Sequence, residues 1–159
     1  AVRMRGLVQR VIRAEVKSRE ASNSEWVVAG AIGPGLCVFV GVTHDDMAAQ
    51  ADKLANKIWG LRIFDDSKSV MNLSLSDIHE TGGRAAVLVV SQFTLYGDTR
   101  KGRRPSWAGA ARPDHAEPMV DCVVERLRSL GATVATGVFR TEMNVDLIND
   151  GPVTLMIEG

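Results

Sequence analysis

Between Ala85 and Val90 the chain runs through six apolar residues without a break, and the run leads directly into Ser91-Gln92-Phe93-Thr94-Leu95. A strand with no polar alternation is covered on both faces, so this one belongs in the middle of a sheet with packing layers on either side. The strand is predicted over 85–95. Its polar residues then sit where a central strand emerges, a rigid place for a site.

The remaining pattern supplies the covering layers. Ile12, Ala14 and Val16 alternate with Arg13, Glu15 and Lys17, the period of a half-buried strand. Residues 18–24 form a polar loop. Residues 26–32 and 36–42 flank Gly33-Pro34-Gly35 and read as a hairpin whose second strand is buried. Thr43, Asp45 and Asp46 suit a helix start, Met47, Ala51, Leu54, Ala55 and Ile58 share one helical face, and Gly60 suits the stop. Residues 61–64 read as a short strand, and Met71, Leu73 and Leu75 alternate weakly after the Asp65-Asp66-Ser67 turn. A second helix is predicted to start between Asp114 and Pro118, since proline is tolerated only near the start. Met119, Val123, Leu127 and Leu130 would line its inner face and Gly131 would close it. Three short strands follow, at 133–136, 143–148 and 153–158. The expected fold is a single α+β domain over 1–159, with layered or strongly curved, barrel-like sheets covered by two helices.

Composition limits the function. The 159 residues carry no net charge, so no global field recruits nucleic acid and any basic surface is local. Cys37 lies in an apolar run and Cys122 on a helical pattern, which reads as core thiols in a reducing compartment rather than a disulfide scaffold. No apolar run approaches the ~20 residues of a membrane span, and the basic N-terminus lacks a signal-peptide hydrophobic region. A cytoplasmic protein with no membrane partner is expected.

Most catalytic chemistries find no support. Ser91 is not in a Gly-x-Ser-x-Gly elbow, no Cys or His pair has zinc-ligand spacing, and no phosphate-binding glycine motif is present. His44, His79 and His115 fall at helix starts or in loops, and the acidic pairs Asp45-Asp46 and Asp65-Asp66 suit a helix start and a turn. No metal or cofactor is expected. What remains is the Ser91–Thr94 edge: hydroxyls on Ser91 and Thr94, an amide on Gln92, and backbone N–H groups around Phe93 and Thr94. As bare residues, Ser91 and Thr94 equally suit the satisfaction of backbone groups where a strand ends. Thr94 is a nucleophile only with a base beside it, and the sequence offers none.

A second stretch, Asn149-Asp150-Gly151-Pro152-Val153-Thr154, has apolar sequence on both sides. By pattern it is a hairpin turn. Gly-Pro also lets a ligand approach the backbone and presents two carbonyls with no side chain between, able to take an ammonium group's donors.

Together, Ser91-Gln92-Phe93-Thr94-Leu95 and Asn149-Asp150-Gly151-Pro152-Val153-Thr154 resemble the two signature motifs of the D-aminoacyl-tRNA deacylases. The resemblance extends to Met4-Arg5-Gly6-Leu7-Val8-Gln9-Arg10-Val11, to Gly33-Pro34-Gly35-Leu36 and to Gly102-Arg103-Arg104-Pro105-Ser106, and so covers Met4 to the end. Ala1, Val2 and Arg3 precede it and read as an extension, native or introduced. The resemblance implies a homodimer in which a cis Gly151-Pro152 reaches into the partner's active site, braced by Arg10. It implies that Gln92, Phe93 and Thr94 form the catalytic edge beside Ser91, that Phe139 and Met143 contact the terminal adenosine, and that the terminal ribose 2′-OH, or a water it orients, does the chemistry. Rejecting an L-aminoacyl substrate by ~10⁴ needs roughly 5.5 kcal/mol. One hydrogen bond or methylene supplies only ~1–3 kcal/mol. A rigid backbone wall is the better discriminator, and it would also let an achiral glycyl ester pass.

Arg100, Lys101, Arg103 and Arg104 place four cations within five residues, with Tyr96 and Trp107 on either side. Such a loop suits tRNA phosphates and base stacking, or simply solvent. One segment departs from the family: where many members have Phe-Gly-Ala-x-Met, this chain has Phe139-Arg140-Thr141-Glu142-Met143. The added bulk keeps two other classes open, a non-catalytic tRNA-binding relative and a small-molecule esterase.

Overall fold

The computed structural model describes residues 3–159; Ala1 and Val2 of the expected extension lie outside the described residues. A 15-residue strand, β1 (Arg5–Arg19), is the axis of the sheet. It is followed by β2 (Val27–Ile32), β3 (Gly35–Gly41), α1 (Ala48–Gly60), β4 (Phe64–Asp65), β5 (Met71–Leu73), α2 (Leu75–Glu80), β6 (Ala86–Ser91), a 3-10 turn (Phe93–Tyr96), α3 (Pro113–Leu130), β7 (Thr133–Thr136) and β8 (Glu142–Glu158).

The main sheet runs β2-β1-β3-β6-β7, with β8 along the other edge of β1. β1 is antiparallel to β2, β3 and β8, whereas β6 is parallel to both β3 and β7. The sheet curls until its ends meet: a Cβ on Gly30 of β2 would stand 2.7 Å from the Thr136 carbonyl oxygen of β7. The result is a nearly closed barrel with helices outside.

β6 shows why its sequence has no polar alternation. Val87 and Val89 face the layer under the helices, with Leu54, Ile58 and Leu127, while Leu88 and Val90 face the barrel interior with Val11, Val16 and Cys37. Each fully buried Leu or Ile contributes ~1.5–3 kcal/mol. Cys37 is a core thiol as expected, and burial pushes its pKa up to about 12, which leaves it unreactive.

Several expectations are corrected. Among the described residues there are three α-helices where two are expected: the short α2 begins at Leu75, the last residue of the alternating Met71, Leu73, Leu75 pattern. Its start is a capping box, in which the Ser74 hydroxyl accepts from the Asp77 N–H and the Asp77 carboxylate accepts from the Ser74 N–H. The 61–64 strand is only Phe64–Asp65, paired with β5. In α1 the apolar face is as read except for Met47, which is the exposed N-cap residue. Asp46 is buried and caps no helix. Its carboxylate accepts from the Met4 N–H (2.9 Å) and the Thr43 N–H (2.8 Å), tying the start of β1 to the loop before α1. α3 starts at Pro113 and holds Pro118 inside it. Its buried face is Ala116, Val120, Val123, Val124 and Leu127, with Met119 and Leu130 only partly covered. Gly131 closes it in the left-handed region, as expected.

The strand expected over 85–95 stops at Ser91, because Phe93–Tyr96 turns into the 3-10 geometry. The two last strands expected at 143–148 and 153–158 are one strand, β8. Against β1, Thr154 pairs with Gln9 and Asn149 with Val11, so Asp150 to Val153 bulge out opposite the single residue Arg10. Gly-Pro here is a bulge in a continuous strand, not a hairpin turn.

Candidate active site

The parallel ladder fixes the end of β6. Ser91 lies opposite Val40 of β3, and the Gln92 N–H donates to the Val40 carbonyl at 2.8 Å. The chain then tightens: the Leu95 N–H donates to the Gln92 carbonyl (3.2 Å) and the Gly97 N–H to the Thr94 carbonyl (2.9 Å). The first N–H groups of a helical turn have no acceptor within it, and here those are Phe93 and Thr94. The Gln92 side-chain amide donates to the Thr94 hydroxyl.

This strand end opens into an apolar cleft of about 590 Å³. Ser91, Gln92 and Phe93 form one side, Phe139 to Thr141 and Met143 another, and Trp107 and Pro113 the approach to α3. Phe93 and Trp107 meet edge to face, with ring centroids 5.3 Å apart. A smaller recess of about 150 Å³ continues beneath Phe139 and Met143, bounded by Glu117 and Asp121. The structure therefore brings Ser91, Gln92, Phe93, Phe139 and Met143 to one cleft, whereas Thr94 is exposed and is not part of the lining.

Arg10, Gly151 and Pro152 are not part of that lining. Arg10 is 9% exposed and donates from Nη1 to the Ile63 carbonyl (2.7 Å) and from Nε to the Asp150 carbonyl (3.1 Å). Its guanidinium also lies 3.4 Å from the Asp150 carboxylate and 3.7 Å from that of Asp65. Arg10 thus holds the base of the bulge from below. The tip itself is exposed, its Gly151-Pro152 peptide is cis, and Gly151 has φ +124°. The Asn149 carboxamide oxygen accepts the Val153 N–H at 3.0 Å across the bulge.

The basic loop is exposed but not uniform. Arg100 donates to Asp98 from Nε (2.9 Å) and Nη2 (2.7 Å), which holds the Asp98 carboxyl down at about 2. Lys101, Arg103 and Arg104 are exposed and have no salt-bridge partner among the described residues. Of the histidines, His44 and His115 bond the backbone carbonyls of Ala108 and Asp46, and His79 packs against Trp59; none lines the cleft.

One supporting residue gave no sequence signal. Arg5 Nη1 donates to the Leu95 carbonyl at 2.9 Å, and its guanidinium lies 4.5 Å from the centroid of the buried Tyr96 ring. It thereby clamps the 3-10 turn from β1. Val40, Val42 and Val145, apolar walls of the cleft, carry only a strand pattern in the sequence.

The family model described as D-Tyr-tRNA(Tyr) deacylase matches residues 7–158. A D-aminoacyl-tRNA deacylase of Heliobacterium modesticaldum is 56% identical over 156 residues, covering 98% of this chain and 97% of that protein. One of Streptomyces avermitilis is 55% identical, covering 98% and 99%. Among solved structures, one described as c-Myc DNA Unwinding Element Binding Protein superimposes with a TM-score of 0.83 at 32% identity, covering 98% of both chains. A probable eukaryotic D-amino acid tRNA deacylase shares the fold at a TM-score of 0.77 and 17% identity. This chain belongs to the D-Tyr-tRNA(Tyr) deacylase family.

Proposed function

We propose that this chain, acting as one catalytic domain in a cytoplasmic homodimer, hydrolyses the ester bond of D-aminoacyl-tRNA to free tRNA and the D-amino acid, a proofreading step in translation. The observation that carries the reading is the end of β6. Backbone N–H groups and the Gln92 amide open there into an apolar cleft whose lining contains no histidine and no carboxylate. A site so built cannot activate a side-chain nucleophile, but it can hold a carbonyl and stabilise the oxyanion that develops on it. One such donor is worth ~2.7–4 kcal/mol. An aminoacyl ester is activated enough for placement and electrostatics to suffice: a water oriented by the terminal ribose 2′-OH attacks the carbonyl, and the ribose ester oxygen leaves, takes up a proton and becomes the free hydroxyl of the tRNA.

In this reading Phe139 and Met143 flank the terminal adenosine, and the Gly151-Pro152 carbonyls of the partner subunit close the cleft. They bind the ammonium group of a D-residue and leave no space for an L-side chain. Glycyl-tRNA, having no side chain, passes the same filter. Deacylation measured with matched D- and L-aminoacyl-tRNA tests the function. Turnover of free D-amino-acid esters without RNA would replace it with an esterase, and binding without turnover with a non-catalytic tRNA-binding relative.

Two further results are expected. Thr94→Ala should lower turnover only several-fold, the scale of one neutral hydrogen bond at ~0.5–1.5 kcal/mol, and tRNA ending in 2′-deoxyadenosine should bind but react poorly. A trapped aminoacyl–Thr94 ester would overturn this. For the loop, Lys101→Ala with Arg103→Ala should weaken tRNA binding and flatten the log–log salt dependence by roughly 0.7–0.9 per lost phosphate contact. An unchanged slope would leave the loop as a solvated surface. Arg100→Ala should change the slope less, because its guanidinium is already occupied by Asp98.

A further inference from the structure

Arg140 stands at the edge of the cleft in a conformation that its side chain does not favour. Its φ is +63°, in the left-handed region, at a cost of ~1–2 kcal/mol for a residue with a Cβ. The surrounding turn holds it there. The Thr141 hydroxyl donates to the Val138 carbonyl at 2.8 Å, and Gly137 packs so closely on Met143 that an added Cβ would stand 2.6 Å from its sulfur. The one other non-glycine residue with positive φ among the described residues is Ser69, in a surface turn away from the cleft. Arg140 lines the cleft beside Phe139 and Thr141. Among the described residues its guanidinium has no salt-bridge partner, whereas the neighbouring Glu142 is taken by Arg19. A strained backbone that holds an exposed, unpaired cation at the edge of a cleft suits an anionic ligand.

We propose that Arg140 binds a backbone phosphate next to the terminal nucleoside of the RNA, and so makes this cleft selective for a phosphodiester-linked substrate. The charge distribution agrees. The recess under Phe139 is bounded by the carboxylates of Glu117 and Asp121 and repels a phosphate, which leaves the Arg140 side as the place for the negative charge. The assignment rests on the deacylase reading above.

The test compares Arg140→Gly and Arg140→Lys on two substrates, D-aminoacyl-tRNA and D-aminoacyl-adenosine, which has no phosphate. Arg140→Gly should raise KM for the tRNA substrate about tenfold with kcat little changed, the size of one charge-assisted hydrogen bond. Its salt slope should fall by about 0.7. Arg140→Lys should keep most of the affinity. On D-aminoacyl-adenosine the loss caused by Arg140→Gly should be several-fold smaller than on the tRNA substrate, and the variant should melt no lower than the wild type, since glycine adopts this φ freely. Equal losses on both substrates, or no loss on tRNA, would overturn the assignment. If the wild type turned over neither substrate, the deacylase reading itself would fail and take the assignment with it.

Discussion

Gly151→Ala should lower kcat/KM for D-aminoacyl-tRNA by about 100-fold, the scale on which a 1 Å misplacement acts, while the barrel stays folded. A Cβ at Gly151 would stand 2.9 Å from a Val153 methyl and 3.0 Å from Arg10 Nη2, at a φ of +124°. Neither neighbour yields easily. Val153 is held by its N–H bond to Asn149, and Arg10 is held at Nη1 by Ile63 and at Nε by Asp150. The tip must therefore move, and its carbonyls with it. Because Gly151 and Pro152 are exposed and only Val153 of the bulge packs against the core, the stability loss should be on the order of 1–3 kcal/mol for the strained backbone. Circular dichroism and thermal melting would show the fold intact. An alanine variant keeping kcat/KM within a few-fold of the wild type would remove the tip from the site.

The second large effect concerns which chain the tip serves. A chain carrying both Gly151→Ala and a lesion at Gln92-Phe93, paired with a wild-type chain, should form a dimer with no working site. If the tip crosses over, each cleft in that dimer contains one damaged part. If the tip serves its own chain, one cleft is wholly wild type and about half the activity survives in a symmetric dimer. The complementary mixture, with one lesion on each chain, should recover about half the activity if the tip crosses over, since one cleft is then wholly wild type, and none if the tip serves its own chain, since each cleft then carries one lesion. The two heterodimers can be isolated with different affinity tags. Half activity from the doubly damaged heterodimer would refute the cross-subunit site.

The parts of the fold legible in the sequence were those governed by local period. β6 could be placed because Ala85 to Val90 leave no polar face, and α1 and α3 because their apolar residues recur at helical spacing. The failures came where two local signals competed. Leu75 continued the alternation of Met71 and Leu73, but Ser74 and Asp77 cap a helix that starts at Leu75, and the cap prevailed. Asn149-Asp150-Gly151-Pro152 has the composition of a turn, yet pairing with β1 on both sides carries β8 straight through it. Nothing local reports that pairing. For the site, Ser91 to Phe93 were readable as a strand end, whereas Phe139 and Met143 joined them only through family resemblance. Their proximity depends on β7 lying parallel to β6, a long-range fact. The Arg5 clamp was invisible for the same reason, since its acceptor is 90 residues away.

β1 also acts as a spacer. Arg5 fastens the 3-10 turn through Leu95, and Arg10 fastens the bulge through Asp150. The two arginines are five residues apart on one strand, which separates their Cα atoms by ~17 Å and, in a regular strand, directs their side chains to opposite faces. An ester carbon has to lie within ~3 Å of everything that handles it. On the proposed reading, a lone protomer carries both halves of the apparatus but holds them on opposite sides of one strand. On the cross-subunit reading, association supplies a missing wall of the reaction vessel, and a separated chain has nowhere to do its chemistry.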